Sequence, residues 1–168
     1  YYDDVLHLNY SSVAFYKNSY NILAIAILPF FGKLIGKIDP RRFAGITFGS
    51  MLLYILALTL TQYFPAYVDI WKLKIYYMML PYIFFHGVFA ATMVLLWNIG
   101  SAYFGKDEDA GDLQSVHLSL TGIRAAFAPL VGIVFYQLFG FTMTFGIAML
   151  CLLMGIILMI WSYHRNKI

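Results

Sequence analysis

Long apolar runs separated by short polar segments make up most of the chain. Five of these runs reach the ~20 residues that a helix needs to cross the ~30 Å hydrocarbon core of a membrane. They are too long for strands and lack the strict alternation of apolar and polar positions that a β-barrel requires. The pattern therefore predicts an all-α, polytopic membrane protein, with five transmembrane helices at about 13–33, 43–64, 75–100, 113–139 and 141–161.

The last two spans come from one uninterrupted apolar run. Residues 125–164 contain no Asp, Glu, Lys or Arg, and a helix of that length would extend ~60 Å, twice the thickness of the hydrocarbon core. We therefore expect the chain to fold back, and Gly140 in the segment LFGFT is the expected turn. Small-residue pairs at i and i+4 predict close contacts between helices, at Gly32/Gly36, Gly45/Gly49 and Gly122/Ala126.

The positive charges are unequally divided between the two sides of this predicted topology. One side collects Lys33, Lys37, Arg41, Arg42, Lys106, Arg165 and Lys167, and the other collects Lys17, Lys72 and Lys74. Because positive residues near span ends favour the cytoplasm, the segment GKLIGKIDPRR (32–42) is predicted to be a cytoplasmic loop. Tyr1 then lies outside and Ile168 inside, and we expect the chain, which opens without an initiator Met or signal peptide, to be a piece of a longer protein. The segment TQYFPAYVDIWKLK, between the second and third spans, is rich in aromatic residues and suits a membrane interface.

Composition agrees with lipid as the solvent. Hydrophobic residues make up 62% of the chain and charged residues 11%, whereas soluble domains carry roughly 25% charged residues. The net charge of +3 is concentrated in short segments and indicates membrane topology, not nucleic-acid binding. A single cysteine, Cys151, and widely scattered histidines offer neither a disulfide framework nor a metal site. Since motifs for nucleotides and hydrolytic chemistry are also missing, we expect neither a cofactor nor enzymatic activity.

The 32–42 segment carries a pattern beyond its charge. Many transporters of the major facilitator superfamily have a short cytoplasmic loop of the form Gly-x-x-x-Asp/Glu-Arg/Lys-x-Gly-x-Arg/Lys-Arg/Lys between the second and third helices, and a degenerate copy between the eighth and ninth. The matching residues are Gly32, Lys37, Arg41 and Arg42. Gly36 and Asp39 replace the acid and the second glycine, and SLTGIRAAFAPLVG (119–132) is similar to the start of the family's eleventh helix. The chain thus resembles the C-terminal half of such a transporter, helices eight to twelve.

The resemblance implies a secondary active transporter, a symporter or antiporter in the cytoplasmic (inner) or plasma membrane. In such proteins a small-molecule substrate binds near the midplane between two halves, which rock to expose it to each side in turn. The N-terminal half would lie outside this sequence, and residues 32–42 would form a loop that takes part in the conformational change. The resemblance leaves the coupled ion open between H⁺ and Na⁺.

Four polar residues within the spans are predicted to bind substrate, namely Arg124, His86, Asn98 and Thr121. Arg124 lies near mid-membrane, where a charge costs at least ~2.5–3.5 kcal/mol on insertion scales. Since no Asp or Glu lies within any predicted span, its partner is water, backbone carbonyls, an anionic substrate or an acid in the other half. His86 lies at a depth where an imidazole relays protons, binds substrate or simply hydrogen-bonds a neighbouring helix.

Two further functions stay open on the sequence alone, a membrane-embedded enzyme and a five-helix accessory subunit. An intramembrane enzyme needs a cluster of acids or nucleophiles at one depth, and only Arg124 and His86 are strongly polar within the spans. An accessory subunit needs only packing faces. If the fourth helix starts later than predicted, Arg124 lies near the interface and extends its guanidinium towards the cytoplasm.

Overall fold

The computed structural model describes residues 1–104 and 110–165, with side chains described for 1–98 and 111–165. Its elements in chain order are α1 (Tyr10–Ile35), α2 (Pro40–Tyr63), β1 (Tyr67–Ile70), β2 (Leu73–Tyr76), α3 (Met79–Phe104) and α4 (Ala110–Arg165). Four helices in the described part of the chain are long and apolar enough to cross a membrane. The predicted class, an all-α polytopic membrane protein, is confirmed, with the addition of a small β-hairpin.

Helix α4 contains a break at Gly140, the residue at which we expected the turn. Gly140 has φ 73° and ψ 176°, in a region of backbone space that favours glycine. The segment 141–165 runs antiparallel to α2. Near its start, Thr142 Oγ1 lies 3.5 Å from Gln62 Oε1 at the end of α2, and near its end, the Ser162 carbonyl accepts from Arg41 at the start of α2. The chain therefore reverses at Gly140, although the count of five membrane crossings stays a prediction.

The capped helix ends leave a shorter loop between α1 and α2 than the sequence predicted. The Asn9 side chain caps α1 by accepting from Ser12 N at 2.8 Å, and Asp39 caps α2 by accepting from Arg41 N at 2.8 Å, with Pro40 as the first helical residue. Only residues 36–39 lie between the two helices. Lys106 and Lys167, two of the seven predicted cytoplasmic charges, lie outside the described residues.

A β-hairpin occupies the region where the third span was expected to begin. The prediction of a helix from residue 75 was wrong, since 73–76 form β2 and α3 begins at Met79. A short apolar run has no periodicity that separates a strand from a buried helix. Strand β2 is held against α1, because Lys74 N donates to Ser12 Oγ at 2.9 Å and Tyr76 N donates to Tyr16 Oη at 2.8 Å.

The main buried cluster lies at the end of the helices that carries this hairpin, which we call the outer end after the predicted topology. The N-terminal segment 1–9 folds over it, with Leu6 and Leu8 only 2% and 5% exposed. Tyr76 Oη donates to the Leu6 carbonyl at 2.9 Å, and Tyr1 Oη donates to the Leu58 carbonyl at 2.9 Å. Outer-end packing therefore joins the first nine residues, the hairpin and α2.

Helices α1 and α3 pack tightly against each other at Gly87. A Cβ atom at this position would lie 2.8 Å from Cδ2 and 3.1 Å from Cβ of Leu23. By contrast, a Cβ at Gly32, Gly45, Gly49 or Gly122 would meet no heavy atom within 4 Å. The small-residue pairs predicted from the sequence are therefore not close-contact positions among the described residues, and the glycine that serves this purpose is Gly87.

The inner end of the bundle, which carries residues 36–39, is joined by polar contacts. Arg41 donates to both carboxylate oxygens of Asp39, with Nε 3.0 Å from Oδ1 and Nη2 2.9 Å from Oδ2. Its third nitrogen, Nη1, donates to the Ser162 carbonyl at 3.1 Å. The guanidinium carbon of Arg42 lies 5.3 Å from the ring centre of Tyr163. These contacts tie the start of α2 to the end of α4.

Replacing Gly87 by alanine is expected to destabilise the fold. The new methyl group forces Leu23 and the backbone of α1 to move, and overpacking of this kind costs about 1–3 kcal/mol. Thermal or denaturant unfolding in detergent measures the loss. Gly49→Ala is the matched control and should be neutral or stabilising, and Leu23→Ala combined with Gly87→Ala should recover part of the loss. Wild-type stability of Gly87→Ala alone would contradict the close α1–α3 approach.

Acidification is expected to loosen the inner end through Asp39. Hydrogen bonds from the Arg41 side chain hold the pKa of Asp39 below its usual value, so the carboxylate contributes stability above its unfolded-state pKa of about 3.9 and loses it as pH falls through the lower folded value. The stability difference between wild type and Asp39→Asn should therefore be largest near neutral pH and should shrink below about pH 4.

Unfolding midpoints measured across this pH range check the expectation for Asp39. Asp69→Asn is the control, because Asp69 is exposed and has no ion pair among the described residues. An Asp39→Asn variant whose stability parallels that of wild type at every pH would contradict the role assigned to the Asp39–Arg41 pair.

Candidate functional site

The four residues predicted to bind substrate fall into two separate regions. Thr121 and Arg124 lie on the first part of α4, where Arg124 contacts Trp97 in the inner half of α3. His86 lies in the outer half of α3. Along α3, His86 and Trp97 are ~16 Å apart at 1.5 Å per residue. The described chain therefore does not bring His86 and Arg124 into one site.

A polar stripe runs along one face of the first part of α4. Its members are Gln114, His117, Thr121 and Arg124, whose spacing of three and four residues puts them on one side of a helix. Gln114 and Thr121 are the part-buried positions within 111–134, where the other side chains are exposed. This face, which we call the inner polar face, is therefore the one turned towards α3.

Trp97 is the residue of α3 that meets the inner polar face. Its ring centre lies 4.9 Å from that of His117 in an edge-on arrangement, and 5.7 Å from the guanidinium carbon of Arg124. A guanidinium at this distance over an indole ring is attracted by the negative ring face. Trp97 was named in neither the predicted site nor the loop, and its partner His117 was set aside as a scattered histidine.

Arg124 lies deep within its helix. Because α4 begins at Ala110, Arg124 is ~21 Å from the start and near the middle of the ~45 Å covered by 110–139. Its side chain is exposed and forms no ion pair with any acid in the described part of the chain. The stack on Trp97 contacts one side of the guanidinium and leaves its N–H donors available to a planar anion.

Asn98 does not join the inner polar face, although it follows Trp97 in the sequence. Its side-chain amide donates to the carbonyl of Val94 in its own helix at 2.7 Å, and the residue is exposed. This is the local bond by which a polar side chain satisfies itself within a helix. Of the predicted set, Thr121 and Arg124 are the pair that share a face.

His86 is enclosed by aromatic rings contributed by three helices. It stacks between Tyr20 of α1 and Tyr54 of α2, with ring centres 3.7 Å and 4.4 Å away and both interplanar angles 10°. Tyr82 meets it edge-on at 5.2 Å and hydrogen-bonds Tyr2 through an Oη–Oη distance of 2.7 Å. We call His86, Tyr20, Tyr54 and Tyr82 the histidine stack.

The Nδ1 atom of His86 is buried and has no hydrogen-bond partner in the described part of the chain. A buried nitrogen without a partner is uncommon and costs free energy. The sequence analysis allowed His86 a hydrogen bond to a neighbouring helix, and Nδ1 does not make one. The imidazole is held by its ring faces, which leaves Nδ1 free to exchange a proton with water or a ligand that reaches it.

The predicted conformational loop is mostly helical in the structure. Gly32 lies within α1, and the backbone N–H of Lys37 donates to the Leu34 carbonyl at 2.9 Å just beyond it. Arg41 and Arg42 lie in the first turn of α2. The residue that the sequence analysis missed here is Asp39, for which Asp-Pro at a helix start is the available signal.

Metal binding has no support in the described residues. Within 1–104 and 110–165, no group of three or more His, Cys, Asp or Glu side chains is close enough to hold an ion. Cys151 is exposed on the outside of α4 and has no partner cysteine.

Comparison with known proteins identifies the family to which these helices belong. The family model for the Major Facilitator Superfamily matches residues 1–167. No curated protein and no solved structure matches the chain. Members of this family are transporters that move small solutes across the bilayer. The chain is therefore an integral, multi-pass membrane protein that belongs to the Major Facilitator Superfamily.

Proposed function

We propose that the chain is the C-terminal half of a secondary active transporter, with its helices equivalent to helices eight to twelve of the family. The observation that carries the proposal is Arg124, a charge at mid-helix on the inner polar face without an acidic partner among the described residues. The family match, the one-sided distribution of positive charge and the reversal of the chain at Gly140 support the same interpretation.

Arg124 cannot face lipid at this depth without a large cost. Insertion scales give at least ~2.5–3.5 kcal/mol for a central charge, and a cation–π contact such as that with Trp97 returns about 0.5–2 kcal/mol. The side chain is therefore better accounted for at the wall of an aqueous cavity. That cavity would be closed on its other side by the N-terminal half of the transporter.

A small anionic solute is the substrate class that fits the inner polar face. A guanidinium binds a carboxylate or phosphate through two parallel hydrogen bonds. The Thr121 hydroxyl and the His117 imidazole lie on the same face and offer further polar contacts, and the Trp97 ring supplies an apolar wall. Rocking of the two halves about this midplane site would expose the anion alternately to each side of the membrane.

Proton coupling through His86 is the second part of the proposal. The histidine stack holds an imidazole with one unpartnered nitrogen between α1, α2 and α3. Aromatic faces attract a cation, so the two tyrosine rings offset part of the cost of protonating a buried imidazole. Na⁺ is less suited to this half, because it prefers oxygen ligands and no Asp or Glu lies within the described helical spans apart from Asp112 near the start of α4.

Removing the charge of Arg124 is expected to reduce transport of the anion strongly. Arg124→Gln should lower kcat/KM at least ~10-fold, the equivalent of about 1.4 kcal/mol of lost transition-state binding. Arg124→Lys should retain part of the activity, because it keeps the charge and loses the bidentate geometry. Uptake of radiolabelled anions by the full-length protein in proteoliposomes measures both effects.

The matched control for Arg124 is Arg165, which makes a cation–π contact of the same kind at the inner end of the bundle. Its guanidinium carbon lies 5.3 Å from the ring centre of Trp161. Arg165→Gln should transport at close to the wild-type rate. Normal transport by a correctly inserted Arg124→Gln protein would overturn the substrate site.

Replacing His86 by phenylalanine is expected to uncouple transport from the proton gradient. Phenylalanine keeps an aromatic ring between Tyr20 and Tyr54 and removes the titratable nitrogens. Accumulation driven by a pH gradient should be lost, while exchange of labelled for unlabelled substrate continues. Tyr54→Phe, which keeps both the stack and the imidazole, is the control and should remain coupled. Proton-driven accumulation by His86→Phe would contradict this role.

A further inference from the structure

Trp71 has an unfavourable backbone conformation and an exposed side chain. It is the first residue of the two-residue turn that joins β1 to β2, and its φ of 59° lies in the left-handed region that favours glycine. Its side chain is 99% exposed. It makes no ring contact, cation–π contact or hydrogen bond within the described part of the chain. A residue other than glycine in this region carries a conformational cost, which the surrounding hairpin must offset.

Hydrogen bonds between β2 and α1 determine the height of Trp71 relative to the membrane. Tyr76 N bonds Tyr16 Oη, and Lys74 N bonds Ser12 Oγ one turn nearer the start of α1. The Asn9 side chain then donates to the Lys72 carbonyl at 2.9 Å. The hairpin therefore runs alongside the first two turns of α1, and its tip is level with the residue that caps the helix.

The length of α1 indicates how deep in the membrane the tip of the hairpin lies. Its 26 residues extend ~39 Å, which exceeds the ~30 Å hydrocarbon core and approaches the ~40–45 Å thickness that includes the headgroups. A helix that spans the bilayer with this length has its capped end in the headgroup layer. If α1 spans the bilayer in this way, the tip of the hairpin is placed in the same layer.

Other exposed aromatic residues lie at the outer end of the bundle. They are Tyr10 (96% exposed), Tyr63 (58%), Phe64 (57%), Tyr67 (47%) and Tyr77 (55%). At the tip itself, Ile70 is 49% exposed and Lys72 is exposed beside Trp71. Tryptophan and tyrosine favour the membrane interface, where the ring is apolar on one side and hydrated on the other, and lysine extends towards lipid phosphates.

We propose that the tip of the β1–β2 hairpin is a membrane anchor, with Trp71 and Ile70 inserted into the outer headgroup layer of the bilayer. The partner is the lipid surface, because the tip is level with the end of a membrane-spanning helix and carries the residue types that lipid interfaces accept. Strand β2 transmits the anchorage to α1 through Ser12, Tyr16 and Asn9.

Spin-label accessibility in the full-length transporter tests the anchor. A spin label is attached at Trp71→Cys, and the protein is reconstituted into phosphatidylcholine vesicles. The label is exposed in turn to oxygen, which concentrates in lipid, and to a water-soluble nickel complex. The signal is corrected for labelling of the parent protein. The control is a label at Asp4→Cys, whose native side chain is 68% exposed at the same end of the bundle. The ratio of oxygen to nickel collisions should be severalfold higher at position 71 than at position 4.

A second variant separates an inserted tryptophan from a tip that merely lies near lipid. With Trp71 present, a label at Ile70→Cys should also favour oxygen over nickel. Adding Trp71→Gly, which relieves the backbone strain and removes the ring, should shift that label severalfold towards nickel, whereas Trp71→Tyr should not. Equal ratios at positions 71 and 4 would overturn the proposal in favour of a tip in water. Shielding of the label at 71 from both reagents would overturn it in favour of a protein partner.

Discussion

Hydrocarbon offers no hydrogen bonds and solvates no charge, so each polar group within the spans must be satisfied by the protein or by water in a cavity. The helices satisfy the backbone, and they also satisfy most of the small polar side chains. Hydroxyl groups donate to the carbonyl four residues earlier at 2.8–3.2 Å in Thr47, Ser50, Thr59, Thr61 and Thr92. Against this background the exceptions are informative. The guanidinium of Arg124 and the Nδ1 atom of His86 lack such a partner, and they are the two groups to which we assign transport roles.

The two ends of the bundle differ in their contacts, because the inner end adds charged groups to buried apolar side chains such as Ile35 and Phe43. At the outer end, buried leucines and tyrosines pack the first nine residues and the hairpin onto α1, α2 and α3, and phenolic hydroxyls bond backbone carbonyls. At the inner end, an aspartate, two arginines and a tyrosine join α2 to α4 through charge-assisted and cation–π contacts. Under the rocking mechanism that we propose, the inner end would open more readily, because a charged contact is easier to hydrate and release than a packed apolar one.

Much of the fold could be predicted from apolar run length, because a bilayer imposes a minimum length on each helix. The glycine of the reversal was also predictable, since an unbroken uncharged helix of that length does not fit a membrane. The hairpin was not, because the four residues Leu73–Tyr76 are too few to show a period. The start of α2 was placed three residues late, since Asp39 was compared with a glycine of the family loop and not considered as a helix cap.

The candidate site was predictable in its charges and not in its geometry. Arg124 and His86 stand out in a sequence because charged and titratable groups are rare in apolar runs. The contact between Trp97 and Arg124 depends on how α4 packs on α3. The position of His86 between Tyr20 and Tyr54 depends on the rotation of three helices about their axes. Neither relation is encoded in local spacing, so the sequence could name the residues and could not group them.

The turn at Gly140 has a consequence for how the protein enters the membrane during synthesis. No charged residue separates 110–139 from 141–165, so there is no polar loop to pause insertion between them. The first segment carries an arginine at its centre, which makes it a poor candidate for insertion alone, whereas the second is strongly apolar and free of charge until Arg165. Insertion of both segments together as one helical hairpin lets the second compensate for the first. A single glycine thus links the cost of burying the Arg124 charge to the biogenesis of the helix that carries it.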